Sequence, residues 1–222
     1  MNRAVCLCSG GLDSTIAATI ARAEGNSVWL FHVNYGQKAE YQERMVVERL
    51  GRFLDAPVFS VDVDMFRNMS ALTSREAALP MDGQVVLDAS ATPSTWVQCR
   101  NLVFVSMAAA YAEYLGAEKI YVGFNAEEAQ SYPDNRPEFV DRFNSLLQRS
   151  VASFSRPPVI VSPLLHLFKA DIVRKGLEVG APLEMSWSCY LEGSKHCGRC
   201  ESCQHRQRGF REAGADDPTE YM

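Results

Sequence analysis

The chain has 222 residues, 47% of them hydrophobic and 22% charged, which is enough apolar material for a globular protein with a sizeable core. Its net charge of −5, with only 22 lysines and arginines, argues against a nucleic-acid partner and favours a small-molecule substrate. The apolar segment near the N-terminus is too short for a signal peptide or a membrane span, so we expect a cytoplasmic protein with no membrane partner.

Strands and helices alternate along the chain. Apolar runs predict buried strands at 4–8, 27–33, 58–63, 119–123 and 159–162. Helical periodicity predicts helices between them, at 13–22, 39–54, 101–115, 139–151 and 169–179. This order is typical of an α/β fold with a doubly wound, mostly parallel sheet, whose ligands bind beyond the carboxyl ends of the strands.

One connection is much longer than the others. Residues 64–95 show little periodicity and contain two prolines and one glycine. Connections of this length inside a compact fold are usually functional. We therefore expect a functional loop here, one possible role being a cover over the substrate.

A glycine-rich turn, Ser9–Ser14 (SGGLDS), follows the first strand and opens the first helix. Its glycines allow close approach of the backbone to a ligand, and the N–H groups of a helix N-terminus attract phosphate oxygens. The hydroxyls of Ser9, Ser14 and Thr15 add donors. Neither GxxxxGK[ST] nor GxGxxG is present, so hydrolysis at the γ-phosphate is disfavoured.

The turn resembles the SGGxDS signature of the PP-loop ATP pyrophosphatase superfamily, which holds pyrophosphate while adenylate passes to a substrate. This resemblance implies that ATP contacts Cys8, Ser9, Gly10, Gly11, Leu12, Asp13, Ser14 and Thr15. It also implies catalytic roles for Asp13 and Ser14, with the exposed carboxylate of Asp13 organising Mg²⁺ around the phosphates. Pro163-Leu164 followed by Lys169 is similar to a later element of the superfamily, so Lys169 is either a third catalytic and ATP-binding residue or a solvated helix lysine.

Four cysteines lie close together in the C-terminal part of the chain: Cys189, Cys197, Cys200 and Cys203. Thiolates at such short spacing can complete a tetrahedral Zn²⁺ site, and the glycines between them suit the tight turns that it needs. We expect a structural zinc that ties this segment to the main body. A CxxC redox pair or a sulfur-carrying cysteine is the alternative.

The remaining cysteines and the nearby histidines are interpreted as non-ligands. Cys6 and Cys8 are expected to pack as small buried hydrophobes. Cys99 is also expected to pack and not to act as a nucleophile, because the adjacent arginine side chain would point elsewhere and leave the thiol without a cationic partner. His196 and His205 are predicted to be bystanders, since the thiolate set is complete without them.

The turn and the cysteine set together resemble the QueC family over nearly the whole chain. Shorter supporting stretches are Tyr35-Gly36-Gln37, Arg100-Asn101, Gly123-Phe124-Asn125, Tyr132-Pro133-Asp134, Arg136-Pro137-Glu138-Phe139, Trp187-Ser188-Cys189 and residues 217–221. The resemblance implies an ATP-binding domain at 1–185 with a zinc-binding segment, 186–222, packed on it, in a homodimer. It implies conversion of 7-carboxy-7-deazaguanine and ammonia to the nitrile through adenylated intermediates, in queuosine biosynthesis.

The resemblance also implies the substrate residues, which are Arg100, Asn101, Tyr132, Asp134 and Arg136. The fork of Arg100 suits a carboxylate, and Asp134 suits the N–H donors of a deazaguanine. Gln98 and Cys99 depart from the family pattern of proline followed by a small residue. An enzyme that stops at the amide, or that joins the carboxylate to another amine, therefore stays open.

Two readings with nucleic-acid partners are also open. A PP-loop combined with cysteines occurs in enzymes that insert sulfur into tRNA, although the acidic chain disfavours a polyanionic substrate. A zinc knuckle that binds nucleic acid would use the basic residues at 206–211, which are more simply explained as a solvated helix face.

Overall fold

The computed structural model describes residues 2–82, 92–153 and 157–222. The strands in these ranges are β1 (Arg3–Leu7), β2 (Ser27–Asn34), β3 (Val58–Asp62), β4 (Lys119–Tyr121) and β5 (Val159–Val161). The α-helices are α1 (Leu12–Ala23), α2 (Glu40–Leu54), α3 (Arg100–Leu115), α4 (Pro137–Ser150), α5 (Lys169–Glu178) and α6 (Glu201–Ala213). Every predicted strand and helix is present, with its ends within two residues of the prediction.

The strands form one parallel sheet in the order β3-β2-β1-β4-β5. β1 is central, and Val5 pairs with Trp29 of β2 on one side and with Ile120 of β4 on the other. This is the doubly wound α/β fold that the sequence predicts. The strand order reverses beside β1, which is the point at which such sheets bind their ligands.

Apolar side chains cover both faces of the sheet. Val5 and Ile120 belong to the core shared with α3 and α4, whereas Ala4 and Cys6 face the side of α1 and α2. Cys6 and Cys8 are fully buried, which confirms that they pack as hydrophobes. Within the described ranges, no helix combines the length and the apolar character that crossing a membrane requires.

The long connection predicted at 64–95 is described at 64–82 and from 92 onward, and its remaining residues lie outside the described part. Phe66, Leu72 and Leu79 are buried in the core beneath α3. Asp82 then reaches the C-terminal segment, where its amide donates to Arg199 O and its carboxylate pairs with the Arg199 guanidinium. The described parts of the connection are thus packed segments.

The C-terminal segment rests on the main body through α6, which packs against α5. Phe210 joins Ile16 and Ile172 in one apolar cluster. The prediction that 206–211 is a solvated face is wrong for Arg206, whose side chain is only 1% exposed and pairs with Asp217 at 3.0 Å. A guanidinium can be buried this way because its several N–H groups all find acceptors; those of Arg206 also reach Ser186 Oγ at 2.6 Å and Leu183 O at 3.0 Å.

Cys99 departs from its prediction as well. The residue is exposed and does not pack. It caps the start of α3 with φ 54°, in the left-handed region that disfavours any residue with a Cβ. The expectation of a packed thiol failed because the turn into α3 directs this position outward.

Candidate active site

A cavity of about 600 Å³ opens beyond the carboxyl ends of β1, β2 and β4. The glycine-rich turn, the start of α3 and the first turn of α6 all contribute to its walls. It lies where a doubly wound parallel sheet binds ligands. Most of the residues singled out in the sequence meet here.

The glycine-rich turn forms the floor of the cavity. Six of its predicted ATP-binding residues line the cavity: Cys8, Ser9, Gly11, Leu12, Asp13 and Ser14. The hydroxyls of Ser9 and Ser14 lie 3.2 Å apart, and Ser14 Oγ donates to Gly11 O at 3.1 Å. These contacts hold both hydroxyls at the N-terminus of α1, where donors can face an anion.

Two predicted members of the turn lie behind this floor. Gly10 has φ +81°, and a Cβ on it would come within 2.8 Å of Glu43 O, so a glycine is required where the turn touches α2. Thr15 is fully buried, and its Oγ1 has no hydrogen-bond partner among the described residues. Both shape the turn from outside the cavity.

Asp13 and Lys169 form an ion pair at the cavity wall. Lys169 Nζ lies 2.7 Å from Asp13 Oδ2, and the side chains are only 8% and 15% exposed, respectively. Burial alone would lower the pKa of Lys169, but the carboxylates of Asp13 and Glu128 outweigh it and raise this pKa. Lys169 is thus a buried cation beside the turn, and the alternative of a solvated lysine is wrong.

The carboxylate of Asp13 is fixed on one side only. Its Oδ2 also accepts a hydrogen bond from Asn125 Nδ2 at 3.0 Å, whereas Oδ1 is buried without a partner among the described residues. A carboxylate oxygen of this kind is a preferred ligand for Mg²⁺. The residues present therefore fit a divalent cation next to the glycine-rich turn.

A second charged group, which the sequence did not reveal, comes from α6. Arg208 forms an ion pair with Glu127 Oε1, and His205 Nδ1 lies 3.3 Å from the same oxygen. Glu127 Oε2 accepts the amide of Lys169 at 3.3 Å, which fixes the start of α5. His205 therefore lines the cavity next to Lys169.

Four of the five predicted substrate residues line the far wall of the cavity: Arg100, Asn101, Tyr132 and Asp134. Arg100 donates to Tyr35 Oη at 3.2 Å and to Asn101 Oδ1 at 3.2 Å. Arg136 is exposed and donates instead to Ala129 O, outside the cavity wall. The backbone turns after Asp134, so two residues close in sequence face different ways.

Asp134 has an acceptor that no described residue satisfies. The residue is 7% exposed, and its Oδ2 has no hydrogen-bond partner in the described part of the chain. Burial raises the pKa of this carboxyl, while the charge of Arg100 opposes the shift. A ligand N–H group would satisfy the free oxygen.

Two aromatic rings line the same cavity as this acceptor. Trp96 and Tyr132 are stacked, with ring centroids 5.7 Å apart and planes 12° from parallel. Thr95 Oγ1 and Tyr132 Oη lie 3.0 Å apart, which fixes the second ring, and burial raises the pKa of Tyr132 to about 12. Trp96 was missed in the sequence because it lies between the long connection and α3, in a segment with no periodicity to mark it.

The four predicted zinc cysteines come together in space. The Sγ atoms of Cys189, Cys197, Cys200 and Cys203 all lie within 4.8 Å of one another. The Cys197 and Cys203 Sγ atoms are 3.9 Å apart, close to the edge of about 3.8 Å of a tetrahedron with Zn–S bonds of about 2.3 Å. The cluster therefore fits one tetrahedral ion.

Backbone donors surround these sulfur atoms. The amides of Leu191 and Cys197 each donate to Cys189 Sγ at 3.4 Å, as the outer shell of a thiolate site should. His196 lies beside the cluster, but its Nε2 accepts the Ser188 amide at 2.9 Å. Neither histidine belongs to the described group of ligand atoms.

The chain was compared with known proteins. The family model of the queuosine biosynthesis protein QueC matches residues 3–214. A 7-cyano-7-deazaguanine synthase of Methanothrix thermoacetophila is 63% identical, with each protein covered over its full length. The synthase of Campylobacter curvus is 39% identical over all of this chain and 98% of that protein. A 7-cyano-7-deazaguanine synthase 2 of Sulfurisphaera tokodaii is also 39% identical, but the chain spans only 48% of its length.

Solved structures show the same fold at low identity. The U34-tRNA thiolase NcsA of Methanococcus maripaludis superposes with a TM-score of 0.52 at 10% identity, covering 96% of this chain and 67% of that one. A 4-thiouridine synthetase, in complex with RNA and ATP, gives a TM-score of 0.50 at 20% identity, with 99% and 47% covered.

Proposed function

This chain belongs to the family of the queuosine biosynthesis protein QueC, and we propose that it converts 7-carboxy-7-deazaguanine and ammonia to 7-cyano-7-deazaguanine at the expense of ATP. One observation carries the proposal beyond family membership. The phosphate-type turn and a pocket with an arginine and an unsatisfied carboxylate oxygen share a single cavity. A site for the phosphates of ATP and a site for a substrate carboxylate would thus adjoin each other, as adenylation requires.

The turn is proposed to bind the phosphates of ATP. Ser9, Gly11 and Ser14 line the cavity, and Lys169 supplies a buried positive charge beside Asp13 of the same turn. Preorganised charge of this kind stabilises the charge that develops on the phosphates during transfer. Asp13 would hold Mg²⁺ through its free Oδ1, and the bound cation would offset phosphate charge.

The far wall is proposed to bind the deazaguanine. Arg100 would pair with the carboxylate, since a guanidinium matches it in a fork of two hydrogen bonds. Asp134 Oδ2 would accept from the N–H edge of the heterocycle, which would remove an unsatisfied buried acceptor. The ring of the substrate would lie against Trp96 and Tyr132, both of which line the cavity.

Two activations at one site account for the nitrile. A carboxylate resists attack by ammonia until one of its oxygens becomes a leaving group, and adenylation supplies that group. Ammonia then gives the amide with release of AMP. A second adenylation, on the amide oxygen, allows loss of AMP and of the remaining N–H protons, which leaves the nitrile.

The cysteine cluster is proposed to hold a structural Zn²⁺. All four cysteines are buried, which favours a closed structural site over redox or sulfur-transfer chemistry. The metal would fix the start of α6, because Cys200 is its N-cap and Cys203 lies in its first turn. It would thereby position the cavity residues of this helix, among them Ser202, His205 and Arg208.

The test is incubation with ATP, Mg²⁺, ammonium and 7-carboxy-7-deazaguanine, followed by mass spectrometry of the base and of the nucleotide. The nitrile, AMP and pyrophosphate are the expected products. Exclusive formation of ADP would refute adenylation, and accumulation of the amide would support the enzyme that stops there. Arg100→Gln should abolish turnover, whereas Arg136→Gln should retain it, because Arg136 lies outside the cavity.

We further propose that the enzyme is a cytoplasmic homodimer. An exposed aromatic face supports a second copy as partner: Tyr114 is 82% exposed, and Phe59, on the edge strand, stacks on Tyr111 at 4.5 Å. Exposed aromatic surface of this kind is typical of association sites. Sedimentation of the native protein and of Tyr114→Ser, which should shift toward monomer, tests this interface.

A further inference from the structure

One carboxylate borders both halves of the cavity. Glu43 lies in the first turn of α2 and lines the cavity wall. The backbone of α2 touches the phosphate turn at this residue, since a Cβ on Gly10 would meet Glu43 O at 2.8 Å. The charge of Arg100 reaches the same carboxyl and lowers its pKa. Glu43 is therefore next to the turn and also within the field of the arginine proposed to hold the substrate carboxylate.

The side chain of Glu43 is fixed through one oxygen. Gln37 Nε2 donates to Glu43 Oε2 at 2.9 Å, and Gln37 Oε1 in turn accepts the Tyr35 amide at 2.8 Å. Among the described residues, the hydrogen bonds to this carboxylate reach Oε2 only. Oε1 is thus left to a ligand.

Four other acidic residues of the cavity are paired with cations. Among the described residues, Asp13 and Glu128 lie within 4.0 Å of Lys169, and Glu127 and Glu212 lie within 4.0 Å of Arg208. An ion pair weakens a carboxylate as a base because it favours the ionised form. Glu43, Asp134 and Glu201 also line the cavity, and no such pair involves them in the described part of the chain. Asp134 is assigned to the N–H edge of the substrate, and Glu201 Oε2 accepts a hydrogen bond from Tyr190 Oη at 3.3 Å. Glu43 is the carboxylate of these three that lies beside the glycine-rich turn.

The surroundings of Glu43 set its proton affinity near neutrality. Burial raises its pKa to about 7, and Glu40 on the same helix adds to the rise. The hydrogen bond from Gln37 and the charge of Arg100 act in the opposite direction. Glu43 also raises the pKa of the neighbouring Cys8 thiol. A base that titrates close to the working pH is the most effective in proton transfer.

We propose that Glu43 is the general base of the amidation step, removing a proton from the incoming ammonium ion so that its nitrogen can attack the adenylated carboxylate. The assignment rests on the proposed function. The nitrogen bonds to the carbonyl carbon, and the C–O bond to AMP breaks with its electron pair on the phosphate oxygen. One proton of ammonium passes to Glu43, and a second leaves the nitrogen for the departing phosphate.

Exchanging the nucleophile tests this role. At pH 7 ammonium is almost wholly protonated, whereas hydroxylamine is almost wholly neutral and attacks without a prior deprotonation. Glu43→Gln keeps the size of the side chain and an oxygen for Gln37 to bond. With ammonium, we expect this variant to lose about a hundredfold or more in amide formation, the usual contribution of a general base. Hydroxamate formation from hydroxylamine should fall by less than about tenfold.

Two controls separate this proposal from the proposed function. Substrate-dependent exchange of pyrophosphate into ATP reports adenylation alone, and Glu43→Gln should retain it. Glu48→Gln removes an exposed charge from the same helix, outside the cavity lining, and should behave as wild type with both nucleophiles. Raising the pH should partly restore the variant with ammonium, because free ammonia increases.

Equal losses with ammonium and hydroxylamine, or loss of pyrophosphate exchange in Glu43→Gln, would overturn the assignment, since Glu43 would then act in binding or adenylation. Unchanged amide formation would overturn it too. If the wild-type enzyme itself shows no substrate-dependent exchange, the proposed function fails, whatever the variants do.

Discussion

Removing one partner of the Asp13–Lys169 pair should cost stability as well as activity. An aspartate on an exposed turn can be replaced without loss of stability, but Asp13 is 15% exposed and lies 2.7 Å from a lysine that is 8% exposed. With an effective dielectric of about 20, the attraction at this distance is about 6 kcal/mol, against a desolvation penalty of several kcal/mol for each ion. The pair therefore contributes little net stability, but removing either partner leaves the other charge buried without compensation.

The single variants and the double variant should accordingly differ. Asp13→Asn leaves Lys169 buried with Glu128 at 3.9 Å as its remaining partner, so we expect a loss of about 3 kcal/mol in the free energy of unfolding. Lys169→Met should cost a similar amount by leaving the carboxylate unpaired. The double variant buries neither charge, so its loss should be no larger than that of either single variant.

Urea unfolding of the four proteins, at one pH and ionic strength, measures these differences. Pyrophosphate exchange provides a second measurement, and all three variants should lack it because Asp13 and Lys169 are both assigned to the adenylation site. Strictly additive losses in the double variant would refute the reasoning, since the two charges would then be stabilised independently.

Four further outcomes are expected. Purified protein should carry about one equivalent of zinc, and Cys197→Ser should lose both metal and thermal stability; a metal-free protein with an unchanged melting temperature would exclude the structural site. Gly209→Ala adds a Cβ 2.5 Å from Lys169 Cγ, so pyrophosphate exchange should drop about tenfold or more by displacement of the ammonium. Urea unfolding should also show a loss of stability, because the helix preference of alanine, about 1 kcal/mol, offsets only part of the overpacking and of the weakened pair with Asp13. Cys99→Gly relieves left-handed strain of about 1–2 kcal/mol at φ 54° but adds about 0.4–1 kcal/mol of entropy to the unfolded chain. It should therefore exceed Cys99→Ala in chemical-denaturation stability by about 0.5–1 kcal/mol. Burial raises the folded-state pKa of Glu43 from 4.5 to about 7, so the folded state holds a proton that the unfolded state has lost between these pH values. The melting temperature of wild type should therefore fall relative to that of Glu43→Gln as the pH rises through this window.

The sequence predicts the sheet well because buried parallel strands are continuous apolar runs between turns. It also locates the glycine-rich turn, since the SGGLDS pattern follows β1 directly and Gly10 takes the positive φ that this pattern allows. The four cysteines are equally local, because short spacing alone keeps their sulfur atoms together. In each of these cases the residues that matter are close neighbours along the chain.

The missed residues owe their position to packing between distant segments. Glu43 belongs to an amphipathic helix pattern, and only the contact of α2 with Gly10 brings it to the cavity. The sequence pattern of α6 presents Arg208 as a surface residue. Its position in the site depends on the ion pair with Glu127, which follows β4 in the chain. Arg136 illustrates the reverse case, since its neighbour Asp134 enters the cavity and it does not. Helix docking and turn direction decide all three, and neither is encoded in local periodicity.

The central place of β1 also has a consequence for the order of assembly during synthesis. β1, β2 and β3 are complete once residues 3–62 have left the ribosome, whereas β4 joins the free side of β1 only later. Gly123, just after β4, is pressed against the glycine-rich turn so closely that a Cβ would lie 2.9 Å from Ser14 N. In a nascent chain, the glycine-rich turn is therefore synthesised before Gly123 and β4, which pack against it. A nucleotide at 100 times its dissociation constant would stabilise the completed fold by about 2.7 kcal/mol. Binding of ATP would therefore favour chains in which β4 has paired correctly with β1.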